Sequence, residues 1–83
     1  MNIHYTLHAL ERMRQRGIER SLVEKCLKNP DKEEGLGDDV YKCVKRINRK
    51  VIIVIYKVIY KRAGDAAVII TAYISSKIHK YLE

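Results

Sequence analysis

The segment Val51 to Tyr60 restricts the fold of this 83-residue chain more than any other. β-Branched and aromatic residues fill both alternating positions. Val51, Ile53, Ile55 and Ile59 lie on one side, and Ile52, Val54, Tyr56, Val58 and Tyr60 on the other. A strand apolar on both sides needs cover on both faces, so it reads as the centre of a sheet. The second cover could come from the C-terminal tail, from a homodimer mate or from another protein. The run is too short to cross a bilayer, which takes ~20 apolar residues as a helix.

The surrounding segments fall into place around that strand. Val40 to Ile47 alternates as a strand and reaches it through a turn at Asn48-Arg49-Lys50. Ala66 to Ile74 reads as a further strand after a turn at Lys61 to Asp65. Lys32 to Gly35 reads as a short edge strand before a turn at Gly37-Asp38-Asp39. The N-terminal third has a helical period instead. Ile3 to Tyr5 is extended, Thr6 can cap a helix running to Arg16, and Gly17 stops it. Leu7, Ala9, Leu10 and Met13 form its core-facing arc, with the stem of Arg14 along the core edge. A second helix starts at Ser21 with a Ser21–Glu24 capping box and turns Leu22, Val23, Cys26 and Leu27 inward. It ends before Asn29-Pro30-Asp31. Ser75 or Ser76 could cap a last helical turn over Lys77 to Leu82. The expected architecture is one α+β domain over residues 1–83. Two N-terminal helices pack on one face of a three- or four-stranded antiparallel sheet, with a short C-terminal tail.

The first helix carries the chemistry. His8, Arg12 and Arg16 stand at i, i+4 and i+8, within an arc of roughly 80° beside the apolar stripe. Imidazole moves protons near neutral pH, and guanidinium holds a phosphate at two points. The bland alternative is a basic solvated face. Thr71 and Tyr73 lie two apart on the last strand, so both point to one face. They could orient a phosphate or simply be good strand formers.

The formal net charge of +7 favours a polyanionic partner. Lys42, Lys45, Arg46, Arg49 and Lys50 cluster on one strand and its turn. They read as an RNA-backbone track, or else as a charged edge that deters aggregation. Cys26 and Cys43 lack metal-site spacing and read as free buried thiols, with a disulfide or redox pair as the alternative. His4 and His8 are four apart, but a helix beginning at Thr6 separates them, so no metal is expected. No signal-peptide pattern opens the chain, and a soluble cytoplasmic protein is expected.

Several stretches resemble an uncharacterised family of small toxin-like domains. They are His8-Ala9-Leu10-Glu11-Arg12-Met13-Arg14-Gln15-Arg16-Gly17-Ile18, Asn29-Pro30-Asp31, Tyr41-Lys42-Cys43-Val44-Lys45 and Val68-Ile69-Ile70-Thr71-Ala72-Tyr73. That family opens with an HAxxRMxxRGI helix and closes with a VxTxY strand. It looks like a branch of the BrnT/RelE-like ribonuclease toxins, within the broader barnase–EndoU–colicin–RelE class. The resemblance spans roughly residues 6 to 77. It implies a RelE/barnase-like fold and a metal-independent endoribonuclease of the toxin–antitoxin type, restrained by an acidic antitoxin protein. On that reading His8, Arg12, Thr71 and Tyr73 form the catalytic group and Arg16 steers the RNA backbone. Related tails contribute basic or aromatic residues, for which this chain offers Lys77, His79 and Tyr81. No cofactor is implied.

The chemistry assigns roles. His8 would take the 2′-OH proton, Arg12 would hold the charge on the transition state, and Tyr73 would act as acid or stacking platform. Glu11 lies off the His8–Arg12 line. A non-catalytic RNA- or DNA-binding module and a protein-interaction domain are the alternative readings on the same fold.

Overall fold

The computed structural model describes residues 2–83. In chain order the elements are β1 (Asn2–Tyr5), α1 (Leu7–Arg16), α2 (Arg20–Lys28), β2 (Lys32–Gly37), β3 (Val40–Ile47), β4 (Lys50–Ile59), β5 (Ala66–Ser75) and α3 (Ile78–Leu82). The strands form one sheet in the order β1-β5-β4-β3-β2. Val51 to Tyr60 was read as the central strand, and β4 holds that position. The sheet is nevertheless larger than expected, and it is mixed. The extended residues at the N-terminus pair with β5 in parallel, Asn2 opposite Ala66 through Tyr5 opposite Ile69. The other three pairings are antiparallel.

The two faces differ in cover. Ala9, Met13 and Ile18 from α1 and its exit, with Val23 and Cys26 from α2, pack on Cys43, Ile52, Val54, Tyr56, Ala67, Ile69 and Ala72. On the opposite face Val44, Val51 and Ile53 are sealed by Ile78, Tyr81 and Leu82 of α3, with Tyr73 beside them. The tail thus provides the second cover that β4 requires. Cys26 and Cys43 are buried free thiols with their Sγ atoms 3.3 Å apart, as α2 meets β3. The hydrogen-bonding contact with the Cys43 thiol, reinforced by burial, pushes the Cys26 thiol up.

Three local expectations fail. Leu7 is 86% exposed rather than core-facing, because α1 opens at Leu7 and its buried stripe is Ala9 and Met13. The Ser21–Glu24 capping box does not form. The helix starts one residue earlier with Glu19 as N-cap, and the Ser21 hydroxyl sits 3.5 Å from the Glu19 carboxylate. The turn before β3 needs only Asp38 and Asp39, both at positive φ (54° and 63°), so β2 runs on to Gly37. Two consecutive left-handed residues are what a tight two-residue hairpin demands of its tip.

Candidate nucleic-acid interface

Thr6 sets the position of α1. Its backbone N–H and its hydroxyl both donate to the Ile69 carbonyl (3.3 and 3.2 Å), while the hydroxyl oxygen accepts from the Ala9 N–H at 2.9 Å. The chain therefore leaves the sheet at Ile69 and enters α1 in one residue. β1 ends there, but β5 continues to Ser75 with no further strand on that side among the described residues. The helix follows this open edge, and at its far end Arg16 Nη1 donates to the Ala72 carbonyl at 2.8 Å. His8 and Arg12 lie between these anchors on the helix and are exposed. Neither makes a side-chain hydrogen bond or ion pair among the described residues.

A bulge decides where Thr71 and Tyr73 go. Ile55 pairs with Thr71 but Tyr56 pairs with Ile69, so Ile70 is an extra residue in β5. Regular alternation from Ala67 and Ile69 would turn Thr71 and Tyr73 toward the helices. The extra residue reverses the phase, so Ala72 enters the helix-side core and Thr71 and Tyr73 face α3 instead. The two do share a face, but not the face that α1 covers. His8 and Arg12 thus stand on one side of the β5 edge, and Thr71 and Tyr73 on the other. Arg16 is the side chain that links them. Its charge favours the phenolate of Tyr73, yet burial and the hydroxyl of Tyr81 outweigh it and hold that phenol up at about 12.

The basic residues divide into three groups. Successive strand residues point to opposite faces, so Lys42 and Lys45 separate. Lys42 pairs with Glu34 at 3.4 Å and lies 5.9 Å above the Tyr81 ring. Lys45 donates to the Asn29 carbonyl at 2.9 Å on the helix side. Arg46, Arg49 and Lys50 gather at the β3–β4 turn, where Asn48 takes positive φ. The register Arg46–Val51–Ser75 brings that turn beside the start of the tail. Arg46, Ser76, Lys77, Ile78, His79 and Lys80 line a groove there of about 560 Å³. The predicted tail residues separate as well. Tyr81 packs edge-on against Tyr73, with ring centroids 6.2 Å apart, and His79 bonds Glu83 at 2.8 Å. The sequence offers Ser76 only as a helix cap and gives Lys80 no role. Their membership depends on where the tail folds, and only the regular spacing of Lys77 and Lys80 hints at it.

Residues 5–74 match the family described as Domain of unknown function (DUF4258). The chain belongs to the DUF4258 family. The match covers α1 through all of β5 but Ser75, including the α1 stripe, the β5 bulge and the basic hairpin turn. No curated protein matches this DUF4258 domain. Among its described residues no helix is long and apolar enough to cross a membrane.

Proposed function

We propose that this DUF4258 domain is a metal-independent endoribonuclease of the toxin type, akin to the BrnT/RelE-like toxins, which cuts RNA at the open edge of β5. The Arg16 bridge carries the reading, because it brings the His8–Arg12–Arg16 line of α1 against the strand that bears Thr71 and Tyr73. RNA lying along the edge would meet an imidazole able to take the 2′-OH proton and guanidiniums able to hold the phosphate. Thr71 and Tyr73 would approach the phosphate from the far side of the edge. The 2′-OH attacks phosphorus and displaces the 5′-oxygen, leaving a 2′,3′-cyclic phosphate. The net charge of +7 fits both RNA and an acidic antitoxin as partners.

The second reading is an RNA- or DNA-binding module without catalysis. The bulge favours it, since it keeps Thr71 and Tyr73 off the face carrying His8 and Arg12. An RNA cleavage assay in EDTA separates the two. The ribonuclease reading expects cyclic-phosphate products, no cut at a 2′-deoxy position, and a loss of ~100- to 10,000-fold in His8→Ala. Intact RNA after incubation with wild type, or full activity in His8→Ala, leaves the binding module in its place.

A further inference from the structure

We infer that the end of the sheet formed by the β3–β4 turn and the start of α3 is a phosphodiester groove that reads phosphate and not sugar, taking single-stranded DNA as readily as RNA. The inference rests on the RNA reading for its natural ligand and goes past it by separating binding from cutting. Two concavities at this end of the sheet make up the site, one on the α3 side and one around the tip of the turn, where Ile47 packs toward the helix-side core. Arg46, Ser76, Lys77 and Lys80 contribute polar groups to the first, of about 560 Å³, and Asn48, Arg49 and Lys50 to the second, of about 550 Å³.

The charges here lack carboxylate partners, although Lys80 lies 5.4 Å above the Tyr81 ring. The ion pairs among the described residues are Lys42–Glu34 and His79–Glu83, so Arg46, Arg49, Lys50, Lys77 and Lys80 face solvent with no carboxylate in ion-pair contact. Two carboxylates touch the lining without pairing with these cations: Asp31 accepts from the Arg46 backbone N–H at 2.7 Å, and Glu83 bonds His79 at 2.8 Å. Five like charges at one end of a small domain repel one another, and a polyanion relieves that repulsion while shedding its counterions. Part of the groove is also held in shape. Arg46 Nε donates to the Asn48 carbonyl at 3.0 Å, which braces the guanidinium and leaves its terminal nitrogens for an outside acceptor. Lys77 N–H donates to Ser75 Oγ at 3.1 Å, which fixes the entry to the tail.

The donor set explains the indifference to sugar. Lysine and arginine side chains offer N–H donors and no acceptor, which suits the non-bridging oxygens of a phosphodiester. Recognition of a 2′-OH is helped by an acceptor for its proton. His79 is bound to Glu83, so the acceptors left are the Ser76 hydroxyl in the first concavity and the Asn48 amide in the second, against five cationic side chains that only donate. Selectivity for RNA then belongs to the cut, where the 2′-OH is the nucleophile, and not to the groove.

The test measures binding by fluorescence anisotropy with the full chain carrying His8→Ala, so that RNA is not consumed. One short single-stranded sequence is used as RNA and as DNA, at two salt concentrations in EDTA. The expected dissociation constants for RNA and DNA agree within about threefold. Adding Lys77→Ala and Lys80→Ala should weaken both about tenfold or more and lower the log–log salt slope by ~1.4, at ~0.7 per lost phosphate contact. Both lysines are exposed, and circular dichroism checks that the fold persists. Lys57→Ala with Lys61→Ala, at the opposite end of β4, should leave both affinities unchanged. A preference for RNA above tenfold overturns the inference. So does unchanged binding in the Lys77/Lys80 variant, or an equal loss in the Lys57/Lys61 variant, which would mean diffuse charge in place of a groove. Failure of wild type to cut RNA would reject the ribonuclease and leave these results standing.

Discussion

The Arg16 guanidinium donates to the Ala72 carbonyl across 2.8 Å, at a point where β5 has outrun β1. A charged donor there satisfies a carbonyl that a neighbouring strand would otherwise take. It also ties the C-terminal turn of α1 to the strand it follows.

Replacing Arg16 with Gln should therefore cost about 1 kcal/mol, below the ~1.5–3 kcal/mol usual for a hydrogen bond to a charged group because the site is only partly buried. In a domain of this size that lowers the melting temperature by roughly 4–8 °C. Arg12→Gln, on the same line of α1 without such a bond, should change stability by less than about 0.5 kcal/mol. Paired thermal melts decide it. Equal effects would show that the Ala72 contact contributes nothing.

The Tyr73 phenol predicts a one-sided pH response. Burial, reinforced by the Tyr81 hydroxyl, holds it protonated up to about 12, against an ordinary value of 10.0. Its folded pKa is thus above its unfolded one. The stabilisation is complete below pH 10 and is lost as pH climbs from about 10 through 12, because the unfolded phenol ionises first. Urea midpoints should stay level through neutral pH and fall above 10. Tyr73→Phe should make that fall shallower. Tyr56, buried and beside Glu33, is pushed up too and will keep part of the fall. An identical alkaline profile in Tyr73→Phe would remove Tyr73 as a source.

Burial at two apolar positions should give opposite outcomes. Ile53 is fully buried under α3, so Ile53→Ala should cost about 2–5 kcal/mol as transfer energy and cavity add. Leu7 is 86% exposed, and Leu7→Ser should move stability by less than about 0.5 kcal/mol. Denaturant titration of both variants provides the check. A large loss at Leu7 would mean that α1 packs differently, whereas a small loss at Ile53 would mean that α3 does not seal that face.

Much of the fold was legible because periodicity is local. Both α1 and α2, the hairpin turns and the doubly apolar β4 could each be read from a few consecutive residues. The parallel pairing of β1 was not, since its partner lies some sixty residues away and Asn2 to Tyr5 carries no signal for it. The bulge at Ile70 was equally hidden. Ala66 to Ser75 is apolar or small at most positions, so nothing in its pattern says where the phase reverses. That reversal matters most for the site. The same-face relation of Thr71 and Tyr73 survives in the structure, but the face is the one away from His8 and Arg12. Lys42 and Lys45 parted for a simpler reason, since an odd separation along a strand puts them on opposite sides.

The parallel pairing of β1 with β5 has a consequence for assembly. Asn2 meets Ala66, so β1 must wait for a strand made some sixty residues later before it can dock. The β2–β3–β4 meander is built from neighbours in sequence and can close early, whereas the β1 contact carries a long loop-closure cost. α1 hangs from β1 through Thr6, so its berth on β5 belongs to the same late event. A chain halted before residue 66 could hold a formed meander while its His8–Arg12–Arg16 helix has nowhere to sit. The edge of β5 therefore comes into being only as the domain finishes folding, which would keep the proposed cutting site from existing on a nascent chain that has not yet delivered β5.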